Sequence, residues 1–256
     1  MQHMRLLFLV ILGVTLFNCK DESASKNDSP LTAEEIVDEA IEVSGGNAFS
    51  NSVIHFDFRD ISYSAIRNKG LFRLERHFKN DSKDSIRDVL SNEGFKRYVN
   101  GNQIILPDSL AALYAASVNS VHYFSVLPYG LNDEAVNKTL VGEEVIKDKL
   151  YYKIKVTFDE NGGGEDYEDV FIYWINKNNF EMDYFAYSYN EPDGKGLRFR
   201  EAYDLKYLKG LRFANYRNYK PNLSDTSLLN LDRAFKNDEL DLVSIIELKN
   251  ISVTLF

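Results

Sequence analysis

The chain is predicted to be a mainly β protein of the α+β class, on three observations. Aromatic side chains are abundant, with 17 Phe and 16 Tyr in 256 residues, and they suit the half-buried surface of a sheet. Apolar and polar residues alternate with the period of a strand over many short segments. Turn residues separate these segments by only a few positions, too few for a crossover helix, so neighbouring strands run antiparallel.

In chain order, Arg5 and the apolar run that follows it to Asn18 (RLLFLVILGVTLFN) have the charge and length of a secretory leader. The run is too short for a helix that spans a bilayer. Cys19, the only cysteine, stands directly after it and is followed by an abruptly polar stretch. The segment 1–18 is therefore expected to be removed, 19–30 to act as a small, polar tether (SASKNDSP at its end), and 31–256 to form a single domain. Without a second cysteine that domain has no internal disulfide, and packing must hold it together.

The domain opens with a helix. Thr32 and Glu35 have capping-box spacing, Ile36, Val37, Ala40 and Ile41 form an apolar stripe, and Gly45-Gly46 ends it. Its acids, Glu34, Glu35, Asp38, Glu39 and Glu42, read as a solvated face. The period then changes to two. Phe56, Phe58 and Tyr63 fall in a first extended stretch and Phe72, Leu74 and Phe78 in the next, while 94–106 reads as a hairpin around Asn100-Gly101. Over 150–158, Tyr152, Ile154, Val156 and Phe158 alternate with Tyr151, Lys153, Lys155 and Thr157. Asn161-Gly162-Gly163-Gly164 turns the chain. Strands are expected at 168–176, 180–189, 197–208, 211–219, 240–248 and 250–256, in an antiparallel meander.

One segment breaks this pattern. Ser109 to Asn132 carries no formal charge with His122 neutral. Pro107-Asp108 starts a helix there, with Leu110, Leu113, Tyr114, Ser117, Val118 and Val121 along one side, and Pro128 stops it. So apolar a helix must be covered, either as plain core or as a wall or lid over an apolar cavity.

Four resemblances follow from these residues. Leu16-Phe17-Asn18-Cys19 is similar to the lipobox of bacterial lipoproteins; Leu16 fits, whereas Phe17 and Asn18 are bulkier than the residues usual there. The resemblance implies that Cys19 is acylated, and two or more acyl chains at about 0.8 kcal/mol per buried methylene hold a protein stably on a membrane. Lys20-Asp21-Glu22 resembles a surface-export signal of such lipoproteins. It implies an outer-membrane lipoprotein displayed at the cell surface, with the lipoprotein-processing and sorting machinery as partners. The leader, the short helix ending in Gly-Gly, the uncharged helix between strands and the closing meander resemble the outer-membrane lipoprotein carrier superfamily. More narrowly, His122-Tyr123-Phe124 with Leu127-Pro128-Tyr129-Gly130-Leu131-Asn132-Asp133 resembles a family of uncharacterised lipoproteins in or near it. That resemblance implies a curved, incomplete antiparallel β-barrel with helices closing its concave face, and an acyl-chain ligand within.

The composition narrows the function further. A net charge of −9 and a pI near 5.1 argue against nucleic-acid binding. His55 and His77 lie in alternating strands without second ligands at metal spacing, and His122 lies among aromatics, so all three read as structural and no metal or cofactor is expected. No G-x-S-x-G elbow occurs, Gly162-Gly163-Gly164 lacks the residues of a phosphate loop, and Glu165, Asp166, Glu168 and Asp169 read as a solvated acidic turn. The chain is thus expected not to be an enzyme. Its expected function is to bind a lipid or acyl chain, with Leu113, Tyr114, Val121, Phe124 and Leu127 from the helix and Tyr152, Ile154, Val156 and Trp174 from the sheet as the wall. Burial of acyl surface at about 25 cal/mol per Å² would drive binding. The alternative is a structural or protein-interaction lipoprotein on the cell surface, its barrel filled by its own side chains.

Overall fold

The capping box written in the sequence forms. In a computed structural model, Glu35 N–H donates to Thr32 Oγ1 at 3.2 Å and Thr32 N–H donates to the Glu35 carboxylate at 2.8 Å. They start α1 (Ala33–Val43), which buries Ala33, Ile36, Val37 and Ala40. Gly45 follows at φ +124°, where a Cβ would also lie 2.6 Å from the Leu211 side chain. Glycine is thus required both by conformation and by close approach. The structure describes residues 30–164, 167–191, 194–222 and 225–256. The leader expected over 1–18, Cys19, Lys20, Asp21, Glu22 and all of the tether except Pro30 lie outside them, as do Glu165 and Asp166.

Six strands come next: β1 (Asn51–Phe58), β2 (Ile61–Asn68), β3 (Leu71–Lys79), β4 (Ser85–Ser91), β5 (Gly94–Val99) and β6 (Asn102–Ile104). The helix α2 (Asp108–Ser125) separates them from β7 (Val136–Ile146), β8 (Lys149–Phe158), β9 (Val170–Asn176), β10 (Met182–Glu191), β11 (Gly194–Leu208) and β12 (Leu211–Pro221). A short helix, α3 (Leu231–Lys236), precedes β13 (Leu240–Ile246) and β14 (Lys249–Leu255). Every pairing is antiparallel. The first sheet runs β6-β5-β4-β3-β2-β1-β14 and the second β7-β8-β9-β10-β11-β12-β13. The fold is a mainly β α+β fold, an unclosed barrel built from two antiparallel sheets and three helices.

The last strand departs from the expected meander. After only Glu247 and Leu248 the chain leaves β13 at the edge of one sheet and adds β14 to the other, opposite β1. The physical reason is edge satisfaction: without β14 the N–H and C=O groups along one side of β1 would be unpaired. The crossing is pinned where Leu248 N–H donates to Asn215 Oδ1 at 3.0 Å. The opposite edges, β6 and β7, are joined through α2.

Three cores fill Leu31–Phe256, which is one compact unit. The inner face of the second sheet packs Ile154, Val156, Phe171, Tyr173 and Phe185 against α1. The inner face of the first packs Ile54, Phe56, Tyr63, Ala65 and Leu74 against Val118 of α2. On the back of the second sheet, Tyr151, Ile172, Trp174, Tyr184 and Phe199 pack against Leu231 of α3. Among the described residues no helix is long and apolar enough to cross a membrane.

Candidate functional site

The N-terminal half of α2 lies over an ionic cluster in the first sheet. Cross-strand register places Arg76 beside Asp88 and Asp88 beside Arg97 on one face. Asp88 is 0% exposed. It accepts from Arg76 Nε at 2.7 Å and from Arg97 Nε and Nη2 at 2.6 and 2.7 Å. Arg76 Nη1 also donates to Ser117 Oγ of α2 at 2.6 Å, and the Arg97 guanidinium lies 3.5 Å from the Tyr114 ring centre. Two guanidiniums share one carboxylate, so this buried face is cationic in a chain of net charge −9.

The C-terminal half of α2 passes between two cavities. A smaller one of about 60 Å³ is lined by Phe58, Val121, Phe124, Arg200, Tyr216 and Leu248, among others, and so lies where both inner faces meet the helix. Phe124 stacks on Phe185 with ring centres 5.8 Å apart, and the Arg200 guanidinium lies 4.3 Å from the Phe124 ring centre. Arg200 Nη2 donates to the Tyr187 hydroxyl at 2.8 Å. This space is largely filled by the protein itself: it is well under the roughly 150 Å³ of a cavity that admits benzene.

The larger cavity, about 350 Å³, opens on the other side of α2. Phe72, Leu74, Tyr123, Val126 and Tyr129 supply apolar wall, and Arg67 and Asp133 supply charge. Its size falls within the range of about 300–1,000 Å³ usual for small-molecule sites. The Tyr123 and Tyr173 hydroxyls lie 3.3 Å apart, and burial pushes the Tyr123 phenol up to about 12. Burial also raises the Asp133 carboxyl above its ordinary value, against the opposing pull of Lys138. His122, between this helix and the sheet, donates from Nε2–H to the Glu75 carbonyl at 3.0 Å and meets the Phe56 and Tyr63 rings edge-on. Burial lowers its pKa to about 4, so it is neutral at pH 7.

The structure distributes the expected wall residues over several surroundings. Val121 and Phe124 line the smaller cavity. Leu127, Ile154 and Val156 are buried in the core beneath α1. Tyr152 shares that face but is half-buried, stacked on Phe180 at 6.2 Å. Three expectations are corrected. Leu113 is 60% exposed and points away from the sheet, as does Leu110, because the buried stripe of α2 runs through Val118, His122 and Ser125. Tyr114 covers Arg97. Trp174 lies on the opposite face from Ile154: register pairs Lys153 with Trp174 and Ile154 with Tyr173, and paired residues share a face. There the Trp174 indole N–H donates to Asp232 Oδ2 at 3.2 Å, under α3.

The arginines of the inner faces, Arg67 above all, were not singled out in the sequence. The available signal was parity: Arg67 follows Tyr63 and Ala65 at alternate positions, so a charge falls on the dry face of β2. Among the described residues no three His, Cys, Asp or Glu side chains converge to hold a metal ion.

The model of a family of unknown function, DUF6503, matches residues 5–248, and the chain belongs to that family. No curated protein matches it in sequence. A LolA superfamily protein from Nitrosomonas europaea has a similar structure, with a TM-score of 0.50 and 13% identity over 87% of this chain and 94% of that one. A DUF1329 family protein from Desulfovibrio piger gives 0.44 and 11% over 87% and 93%. A domain described as an outer-membrane lipoprotein-sorting protein, from Vibrio parahaemolyticus, gives 0.43 and 10% over 87% and 92%. The first of these likenesses bears on fold alone.

Proposed function

We propose that this member of the DUF6503 family is a non-catalytic envelope lipoprotein, held to a membrane through Cys19, that binds an acyl-chain amphiphile beside α2. The observation that carries this reading is the 350 Å³ cavity between the C-terminal half of α2 and the β2–β3 end of the first sheet. Its aromatic and aliphatic wall would desolvate an alkyl chain, and its opening to one side leaves the chain a way in. Over the second sheet the same role is taken by α1, whose side chains already cover the inner face. The polar groups beside the cavity do not form a reactive pair. His122 is neutral and tied to a backbone carbonyl, and Tyr123 is held protonated next to another phenol.

The test is native mass spectrometry with organic extraction on a chain that begins at Ser23 and keeps the whole Leu31–Phe256 unit. A stoichiometric co-purified lipid or fatty acid is expected. A clean protein mass, unchanged after incubation with fatty acids and phospholipids, would defeat the reading. It would favour the interaction lipoprotein with a filled interior, as the 60 Å³ cavity on the other side of α2 already suggests for that half. Anchoring has its own test. Labelled palmitate is expected to enter the wild-type protein and not Cys19→Ser, and equal labelling of both would remove the anchor. Digestion of intact cells with protease is expected to degrade a surface-displayed chain; full protection would place it inside.

A further inference from the structure

The larger cavity contains a charge without a counterpart. Arg67 Nη1 is shielded from water and meets no hydrogen-bond partner among the described residues, although a guanidinium carries five donors. The group lies 5.6 Å from the Tyr129 ring centre, a contact that holds it in place without using its N–H bonds. Buried charges are ordinarily paired. The contrast is local: in the same sheet Arg76 and Arg97 are both bonded to Asp88. Asp133 lines the cavity that Arg67 lines, yet no ion pair joins them. A second orphan lies nearby on the inner face, His122 Nδ1, whose ring feels the Arg67 charge.

We infer that Arg67 is the receptor for the headgroup of the amphiphile, a monoanionic oxyanion at the end of an acyl chain whose alkyl part lies along Phe72, Leu74 and Val126. This deepens the proposed function and rests on it. A guanidinium fork matches the two oxygens of a carboxylate or phosphodiester. A single guanidinium in a cavity that the Asp133 carboxyl also lines favours one negative charge over two. Tyr129, whose hydroxyl lies 3.2 Å from Ser50 Oγ, forms the edge of the site and holds Arg67 toward the cavity.

The experiment is isothermal titration of the full chain carrying Cys19→Ser, stripped of lipid, with five probes. They are laurate, 12-carbon lysophosphatidylglycerol, 1-dodecanol, acetate and inorganic phosphate. Laurate, the lysophospholipid or both are expected to bind at least about tenfold more tightly than 1-dodecanol, the worth of a charge-assisted pair in a dry site. The better of the two identifies the headgroup. In Arg67→Met this preference of charged over neutral probe is expected to vanish. Equal affinity of charged and neutral probes for the wild type would overturn the headgroup assignment and leave acyl binding standing. A preference that survives Arg67→Met would do the same. Failure of every alkyl probe would overturn both readings. Acetate or phosphate binding as tightly as laurate would make this a site for a free anion and overturn the tail assignment. The comparison of probes on the wild type decides the matter even if Arg67→Met does not fold, which its circular dichroism melt reports.

Discussion

Strand β9, interior to the second sheet, is buried on both faces from Phe171 to Asn176, whereas along β1 in the first sheet buried positions alternate with more exposed ones. The second sheet lies between α1 and α3 and is filled by aromatic rings. The first sheet is roofed by α2 together with Phe49, Leu211 and Phe213, and its inner face contains Arg67, Arg76, Arg97 and Asp88 as well as a cavity. The second sheet also buries charge, at Arg200, at Arg212 and at Asp232 paired with Lys153, but apolar rings close over its inner face. The first leaves open space beside α2 and an unpartnered Arg67 Nη1, and such costs concentrate where a protein binds something.

The comparison breaks most visibly at Asp88. Asp88→Ala would leave two buried guanidiniums facing each other, and urea unfolding is expected to show a loss of about 3–5 kcal/mol. A loss under about 1 kcal/mol would mean that the arginines find other partners and that the first sheet does not depend on its ion cluster. In the second sheet the equivalent damage is a void. Ile154→Ala should cost about 3 kcal/mol by the same measurement, with no dependence on salt.

Acid sharpens the contrast. The folded His122 pKa of about 4 lies below the ordinary histidine value near 6.5, so the unfolded chain binds a proton first as pH falls. Its contribution is intact above about pH 6.5 and disappears as pH falls toward 4. Comparing unfolding at pH 7 and pH 4.5, the wild type should lose roughly 2 kcal/mol more than His122→Phe. Parallel pH profiles would show that His122 is hydrated in the fold. The smallest effect belongs to the roof of the second sheet. Thr32→Ala removes the cap of α1 and should lower stability by about 1 kcal/mol, leaving amphiphile binding at the other sheet unchanged.

What could be read in advance follows the same division. The α1 capping box and the Asn100-Gly101 hairpin are local signals, and each appears where its residues predict. The alternation through β8 does not give one wet face: Tyr151 is buried and Lys153 pairs with Asp232, because α3 covers the side that reads as solvated. The face of Trp174 was illegible because Phe171-Ile172-Tyr173-Trp174-Ile175 is apolar at every position, and a strand covered on both sides has no period to read. The six residues of α3 give too short a pattern to distinguish from a loop. Arg67 was legible only through parity, and its lack of a partner is a property of the assembled sheet rather than of any segment.

The Asp57 carboxylate accepts from the Asn250 amide at 2.7 Å across a separation of 193 residues. For a nascent chain this is a matter of timing. β1 is among the first strands to be synthesised, and its partner β14 follows the twelve other strands. Loop-closure entropy delays that pairing further. A chain halted before Lys249 would carry the whole second sheet and an unfinished first one, with the edge of β1 bare and ready to pair with another molecule. Completion of the half that holds the cavity thus waits on the final few residues of the fold.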